Sequence, residues 1–208
     1  MKFYSQCGQD EYFFNNFFKD KSNGVVVEVG AYDGVMFSNS YFFELLGWST
    51  VCIEPNPDFF DKITQIRKGF KYNCAVSDVE GKTLEFLSCT GYTSSLSGLI
   101  KDYDPRHIQR IDREISQYGG SKKVIEVKTR TLTSILDECG LIDIDICSID
   151  TEGNEIDVLK GLDFSKFNIS FFTIENNYNT NEIKNYLISR GYQYLISLGA
   201  DEIFQKVN

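Results

Sequence analysis

VVVEVGAYDG, residues 25–34, joins a run of β-branched residues to an acidic side chain and a turn bounded by two glycines. This order predicts a buried parallel strand whose carboxyl end meets a ligand. Gly30 and Gly34 have no Cβ atom, so a ligand can approach the backbone closely, and Glu28 and Asp33 place carboxylates beside it. An acidic turn suits a cationic or hydroxyl-rich ligand better than a pyrophosphate.

The same turn departs from the glycine-rich fingerprint of dinucleotide-binding proteins. Counted from Gly30, the pattern G-x-G-x-x-G needs two further glycines where the chain has Tyr32 and Val35. A second apolar strand, TVCIE, ends at Glu54 and is followed by Pro55. An acid at the end of a neighbouring strand can accept hydrogen bonds from both ribose hydroxyls. Each piece alone also fits an ordinary strand-to-helix turn, but together they predict an adenosine site.

Composition and charge limit the classes of function. The chain has 208 residues, of which 42% are hydrophobic, and this fits a single domain, 1–208, with one large core. A net charge of −9 opposes general binding to nucleic acid, so we expect no nucleic-acid partner. No apolar run reaches the roughly 20 residues of a membrane span, and we expect a cytoplasmic protein. The six cysteines form no C-x-x-C pair and there is one histidine, which argues against a zinc site.

Apolar β-branched runs alternate with helical patterns along most of the chain. This alternation predicts an α/β fold with a doubly wound, mostly parallel sheet and helices on both faces. Strands are expected at 25–29, 50–54, 71–77, 144–150, 169–175 and 192–198, and helices near 9–19, 38–46, 57–68, 131–139, 154–161 and 180–190. The last two apolar runs, YQYLISL and EIFQKVN, are so close together that they must form an antiparallel hairpin. A parallel sheet finished by one reversed strand is associated with S-adenosylmethionine-dependent methyltransferases, whereas nicotinamide dinucleotide domains end on a parallel strand.

One region, residues 82–130, interrupts the α/β rhythm. Strand-like ends flank a lid or acceptor-binding insertion at about 89–121, in which Asp104 can cap a helix that begins at Pro105. Four apolar residues would then share one face of that helix: Ile108, Ile111, Ile115 and Tyr118. Residues 101–130 carry eight Lys or Arg against five Asp or Glu. This balance fits either a solvated helix face or a cover that recognises a polar or anionic acceptor.

Taken together, five segments resemble the FkbM-type methyltransferases. They occur in order and span nearly the whole chain: YSQCGQDEYFF, VEVGAYDGVMFSNSYFFELLGW, CIEPNP, CSIDTEGNEIDVLKGLDF and IENNY. The resemblance implies a class I methyltransferase (Rossmann-like) fold, with a seven-stranded sheet, an antiparallel C-terminal strand and an inserted lid. It also implies S-adenosyl-L-methionine as the methyl donor and methylation of a hydroxyl, often on a sugar, a glycan or another polar metabolite.

By matched position, the resemblance also implies a set of cofactor-binding residues. The turn after the first strand would face the methionine part of the cofactor, and Asn39 would lie near its carboxylate. Glu54 would hold the ribose, and the segment with Val76 and Asp78 would lie along the adenine. The implied set is Glu28, Gly30, Ala31, Asp33, Gly34, Asn39, Glu54, Pro55, Val76, Asp78 and Asp150.

Acidic residues also end the fourth and fifth predicted parallel strands. Asp150 and Glu175 should project over the carboxyl edge of the sheet, and with Asn176 they form a set of hard oxygen ligands that suits Mg²⁺. This set is similar to the metal triad of catechol-type O-methyltransferases. In the alternative interpretation, Asp150 touches only the cofactor and Glu175 acts unaided as the base. Glu152 and Glu155 would then cap the following helix.

Histidine is a further candidate for the base. Relatives commonly show Glu-His-Asn where this chain has Glu175-Asn176-Asn177, so a histidine role at that strand end does not transfer here. His107 is the remaining candidate, because histidine is the usual base near neutral pH. A lone histidine in the first turn of an exposed helix, however, is more often a surface residue.

The leading interpretation is an O-methyltransferase with Asp150, Glu175 and His107 as catalytic residues and a small molecule or glycan as acceptor. Two alternatives share the cofactor site: transfer to nitrogen or another small molecule, and a binding module without turnover. A nicotinamide oxidoreductase is disfavoured by Tyr32 and Val35. The oligomeric state is left open by the sequence.

Overall fold

The computed structural model describes residues 1–207 and, at residue 102, the backbone only. Its α-helices are α1 (Gln9–Phe13, continued by a π-helical turn, Phe14–Phe18), α2 (Tyr41–Leu45), α3 (Pro57–Ile66), α4 (Pro105–Tyr118), α5 (Leu132–Cys139), α6 (Glu155–Lys160) and α7 (Glu182–Ser189). Its strands are β1 (Val25–Val29), β2 (Ser49–Ile53), β3 (Phe70–Tyr72), β4 (Ala75–Val76), β5 (Thr83–Cys89), β6 (Gly98–Leu99), β7 (Lys122–Arg130), β8 (Asp143–Ile149), β9 (Asn168–Glu175), β10 (Tyr192–Leu198) and β11 (Asp201–Lys206). Among residues 1–207, no helix is both long enough and apolar enough to cross a bilayer.

The main sheet has seven strands in the order β10-β11-β9-β8-β1-β2-β3. β1 lies between β2 and β8, and both pairings are parallel. β11 runs antiparallel to both of its neighbours, β9 and β10. The mostly parallel sheet with a reversed last strand is thereby confirmed, because the short link through Gly199 and Ala200 permits only a hairpin.

Helices cover both faces of the main sheet, as the apolar runs predict. Phe13 and Phe43, from α1 and α2, pack with Val26 on one face. α5, α6 and α7 cover the opposite face in a cluster that includes Val27 and Leu136. Neighbouring residues of β1 point to opposite faces and are both fully buried, which is why this strand is apolar almost throughout.

The strand expected at 71–77 is two strands in the structure. β3 pairs with β2 in the main sheet, whereas β4 pairs with β7 in a second sheet. Between them, the side-chain amide of Asn73 donates to the carbonyl groups of Glu54 (2.8 Å) and Pro55 (3.1 Å). These bonds tie the chain to the end of β2 and turn it towards the second sheet.

The second sheet, in the order β4-β7-β5-β6, carries the insertion. β5 and β7 form a long antiparallel pair, and the expected segment 89–121 contains the short helical turns, β6 and α4 between them. α4 begins as expected, since the Asp104 carboxylate accepts a hydrogen bond from the Arg106 N–H and Pro105 takes the first helical position. Ile111 on its apolar face packs against Leu87 of β5. We call residues 83–130 the inserted unit.

Candidate active site

A cavity of about 250 Å³ lies at the carboxyl edge of the main sheet. Residues at the ends of four parallel strands line it: Gly30, Glu54, Asp150 and Glu175. The inserted unit forms another wall with residues 94–97 and Arg110. Tyr32 connects the two walls, because its hydroxyl hydrogen-bonds the hydroxyl of Ser94 at 2.8 Å. The cavity therefore lies where doubly wound folds bind their ligands, under a cover made by the insertion.

Gly30 allows the ends of β1 and β8 to approach each other closely. Its φ is +85°, and a Cβ built on it would lie 1.8 Å from the carbonyl oxygen of Asp150. Gly30 and Ala31 line the cavity, and their N–H groups donate to the last carbonyl of β2. Gly34 packs against α3 instead, where an added Cβ would lie 3.0 Å from Ile63. The first half of the predicted turn faces the ligand space and the second half supports it.

Asp33 and Asn39 support the same turn and do not line the cavity. The Asp33 carboxylate accepts hydrogen bonds from the N–H groups of Val35 (2.9 Å) and Met36 (2.7 Å). The Asn39 amide donates to the hydroxyl of Ser148 at 2.9 Å, which ties the start of α2 to β8. Both residues shape the wall of the cavity from behind.

Glu28 lines the cavity, but protein groups already engage both of its oxygens. Its Oε2 accepts hydrogen bonds from the hydroxyls of Ser38 (2.8 Å) and Ser40 (2.5 Å), and its Oε1 accepts one from a backbone N–H of the same turn. The fully buried guanidinium of Arg67 lies 3.6 Å from Glu28 and 3.1 Å from Glu44. A buried charge needs such partners, and this network holds the turn in place.

Glu54 presents a carboxyl group to the cavity from the end of β2. It accepts hydrogen bonds from the N–H groups of Tyr32 (2.9 Å) and Asn56 (2.8 Å), one on each oxygen. Burial raises the pKa of Glu54 to about 8, although these two donors oppose the shift. Each anchored oxygen keeps a free lone pair, so the group can accept one hydrogen bond from each hydroxyl of a ribose.

Asn154, which the sequence reasoning did not single out, completes another part of the cavity. Its Nδ2 donates to the carbonyl of Val76 at 2.6 Å, and its buried Oδ1 has no partner among the described residues. Leaving a buried acceptor unpaired costs about 1–3 kcal/mol, so a ligand donor such as the adenine amino group would be stabilised there. Pro55 and Val76 also line the cavity, whereas Asp78 lies outside it and accepts a hydrogen bond from Ser77.

Three carboxyl groups meet at the end of the cavity formed by β8 and β9. One oxygen from each of Asp150, Glu152 and Glu175 lies within 4.8 Å of the other two. Burial and, after it, the charges of Asp201 and Glu155 raise the pKa of Asp150 to about 7, against the opposing effect of a hydrogen bond from Glu175. Burial and the charge of Asp150 raise the pKa values of Glu152 and Glu175 well above their usual range. The acid cluster therefore retains at least one proton near neutral pH.

Glu152 belongs to this cluster, although one interpretation of the sequence made it a helix cap. Asn154 takes the N-cap position, with no side-chain capping hydrogen bond, and Glu155, the first residue of α6, accepts hydrogen bonds from the N–H groups of Thr151 and Gly153. Glu152 has a left-handed backbone, with φ +61°, and its side chain lines the cavity. The only sequence signal for this arrangement was the matched segment CSIDTEGNEIDVLKGLDF as a whole.

Asn176 does not reach the cavity. Its Oδ1 accepts a hydrogen bond from the N–H of Thr180 (3.0 Å) and its Nδ2 donates to the carbonyl of the same residue (2.9 Å). Because this amide closes the turn after β9, the expected Mg²⁺ ligand set of Asp150, Glu175 and Asn176 is not assembled. A cation here would have to be held by carboxylates alone, so the residues present do not match the ligand set expected for Mg²⁺.

His107 is buried, with 1% of its surface exposed, although the first turn of α4 was expected to be solvated. Its Nε2 lies 3.1 Å from the carbonyl of Leu96, and its ring stacks on Tyr103 with 4.6 Å between centroids. Its Nδ1 lies 3.5 Å from Oε2 of Glu152. His107 does not line the cavity itself, so it reaches the acid cluster only through Glu152.

The fold and the site together are those of a class I methyltransferase. The sheet order, the reversed last strand and an acid at the end of β2 all agree with that class. Residues 28–194 match the family model described as the methyltransferase FkbM domain, and the chain belongs to this family. Methyltransferases of this kind use S-adenosylmethionine as the methyl donor. No curated protein sequence matches the chain at a significant level.

The chain superposes on two solved methyltransferase structures. The crystal structure of methyltransferase FkbM from Methylobacillus flagellatus KT superposes with a TM-score of 0.51 at 13% identity, covering 94% of this chain and 50% of that one. The crystal structure of a methyltransferase from Geobacter sulfurreducens gives a TM-score of 0.46 at 14% identity, covering 98% of this chain and 82% of that one. At 13% identity the likeness to the Methylobacillus structure shows the fold alone. The chain spans half the length of the Methylobacillus structure.

Proposed function

We propose that this chain is an S-adenosylmethionine-dependent O-methyltransferase that acts on a hydroxyl of a sugar, a glycan or a related polar metabolite. The observation that carries the proposal is the acid cluster, which faces the same cavity as Glu54. When bound, S-adenosylmethionine supplies a methyl group already activated by its sulfonium. The protein then has to hold the donor, align an acceptor oxygen and take up one proton.

Several cavity groups fit this donor. Glu54 would hold the ribose hydroxyls, and the orphaned Oδ1 of Asn154 would accept a hydrogen bond from the adenine amino group. Gly30 and Ala31 would face the methionine part, because they are the turn residues that reach the cavity. The negative charge of the site favours a cationic donor.

The acid cluster also favours oxygen over nitrogen as the atom that is methylated. An amine placed beside these acids would take one of their protons and remain an ammonium ion, so it would have no lone pair to attack the methyl group. A hydroxyl keeps its lone pairs and can donate a hydrogen bond to a carboxylate. The hydroxyls of Ser94 and Ser95 and the guanidinium of Arg110 line the facing wall, so they can bind other polar groups of the acceptor.

In this proposal Asp150 and Glu175 share a proton at the donor-binding edge. They share a hydrogen bond, and burial holds the pKa of Asp150 near 7. In this arrangement Asp150 faces the cationic donor and Glu175 keeps it oriented. We further propose a small-molecule or glycan acceptor, not nucleic acid, and a cytoplasmic location where the six free cysteines would stay reduced.

Incubation with methyl-labelled S-adenosylmethionine and a panel of acceptors tests this function. The panel should pair methyl glycosides and nucleotide sugars with matched amino sugars, and mass spectrometry should locate the added methyl group. We expect O-methyl products, their loss in Asp150→Asn, and full activity in Glu126→Gln, whose exposed side chain lies outside the cavity lining on β7.

Other outcomes identify the alternatives. Methyl groups found only on nitrogen would replace the proposed reaction by N-methylation. Tight binding of S-adenosylhomocysteine in calorimetry with no transfer to any acceptor would favour a binding module without turnover. Thermal stabilisation by NAD and not by S-adenosylhomocysteine would overturn the cofactor assignment.

A further inference from the structure

We propose that Glu152 is the catalytic residue that takes the proton of the acceptor hydroxyl, and that His107 of the inserted unit is the residue that positions it. This inference rests on the proposed function, since it names the proton acceptor within the same cavity. It differs from the sequence-based interpretation in two respects. Glu152 replaces Glu175 as the base, and His107 acts through Glu152.

The backbone directs Glu152 towards the acceptor side of the cavity. A glutamate at φ +61° costs about 1 kcal/mol or more relative to a right-handed conformation, and Gly153 follows at φ +125°. This turn lies between β8 and α6, where the N–H groups of Thr151 and Gly153 donate to Glu155. The strained residue is therefore not needed for the helix, and its side chain is left to line the cavity.

The contacts of Glu152 converge on one of its two oxygens. Oε2 lies 3.4 Å from Nδ2 of Asn177 and 3.5 Å from Nδ1 of His107. The side chain is only 9% exposed, and the hydrogen bond that Asn177 donates to Oε2 orients it. With Oε2 occupied, Oε1 is the atom we assign to the acceptor hydroxyl.

The surroundings of His107 determine which ring nitrogen carries its proton. The carbonyl of Leu96 can only accept a hydrogen bond, so Nε2, at 3.1 Å, must be the donor. Burial lowers the pKa of His107, which favours the neutral ring, and Nδ1 is then a bare acceptor facing Glu152. A bare ring nitrogen and an ionised carboxylate oxygen at this distance repel each other, so uptake of the proton by Oε1 relieves this repulsion and stabilises the state that follows proton transfer.

The other two acids of the cluster are committed to each other. Glu175 donates a hydrogen bond to Asp150, so neither is as free as Glu152 to receive a new proton. In the reaction, the O–H bond of the acceptor breaks and its proton goes to Glu152, while a new O–CH₃ bond forms. The bond between the methyl group and sulfur breaks, and its electron pair stays on sulfur, so S-adenosylhomocysteine leaves as a neutral thioether.

Matched variants separate this role from a structural one. His107→Gln keeps an N–H that can reach the Leu96 carbonyl but removes the acceptor at the δ position, whereas His107→Asn keeps a δ acceptor and loses the bond to Leu96. We expect Glu152→Gln to lower kcat at least about 100-fold with little change in S-adenosylhomocysteine affinity. We expect His107→Gln to lower kcat about 10-fold at unchanged KM, and His107→Asn to retain more activity. If His107 had only a structural role, His107→Asn would lose more activity than His107→Gln, and that result would overturn the proposal.

The single histidine of the chain allows a direct test without any acceptor. In nitrogen-15 NMR spectra of the full-length protein with S-adenosylhomocysteine, we expect one imidazole with its proton on Nε2 and an Nδ1 signal that moves in Glu152→Gln. A proton on Nδ1, or an Nδ1 signal that Glu152→Gln leaves unmoved, would refute the contact. If the wild type methylates acceptors and Glu152→Gln does so equally well, the inference fails and the proposed function stands. If the wild type methylates none of the acceptors, the proposed function fails, and Glu152 loses its catalytic role with it.

Discussion

Replacing Glu54 by glutamine is expected to weaken S-adenosylhomocysteine binding and to reduce its dependence on pH. In the structure, the N–H groups of Tyr32 and Asn56 each bind one oxygen of Glu54, which leaves each oxygen able to accept one ribose hydroxyl. Glutamine has the same shape but only one acceptor oxygen. Its NH₂ group would face a backbone N–H and could not accept a ribose hydrogen bond.

The magnitude follows from the bond that is lost. A hydrogen bond to a charged group contributes about 1.5–3 kcal/mol, so the dissociation constant should rise about 10- to 150-fold. Burial raises the pKa of Glu54 to about 8, so the free site is mostly protonated at pH 7. A ligand that binds the carboxylate must displace that proton. Wild-type affinity should therefore increase as the pH rises towards 8, and the affinity of Glu54→Gln should increase less over the same range, in which Asp150 still titrates.

Titration calorimetry at pH 6, 7 and 8 measures both effects, with Glu126→Gln as the control for loss of an exposed acid. Running the titrations in buffers of different ionisation enthalpy counts the protons released on binding. Wild-type affinity that stays flat with pH, or a Glu54→Gln variant that binds as tightly as the wild type, would refute the assignment of Glu54 to the ribose.

The remaining predictions concern stability and are measured by urea unfolding of the cofactor-free protein. Gly30→Ala should lower the free energy of unfolding several times more than Gly81→Ala. Both glycines have positive φ, but only at Gly30 would the new Cβ lie against a backbone oxygen, 1.8 Å from that of Asp150. Equal losses of stability in the two variants would contradict this. Arg67→Met should destabilise the fold by about 3–5 kcal/mol, since it leaves two buried carboxylates without their cation. Tyr32→Phe should lower the free energy of unfolding by about 0.5–1.5 kcal/mol, because one hydroxyl hydrogen bond to the inserted unit is lost. An unchanged urea midpoint would show that this bond contributes nothing to stability.

The positions of the predicted site residues separate into two groups. Gly30, Ala31 and Glu54 lie at the cavity because they come just after the ends of buried strands. The apolar pattern of those strands can be recognised in the sequence, so their ends could be predicted. Asp33 and Asn176 are turned into their own loops by hydrogen bonds to nearby backbone groups. Short polar side chains often bond locally in this way, and the choice depends on a loop conformation that no periodic pattern records.

The sequence alone determined the order of strands and helices, the terminal hairpin and the glycine turn that opens the site, because these depend on local periodicity and on residues with restricted conformations. Only the tertiary structure decided which side chains meet. Glu152 and His107 are far apart in the chain and come together because the apolar face of α4 docks beside the cavity and the backbone at Glu152 is left-handed. Such contacts depend on how separate elements pack, and packing is a property of the whole fold.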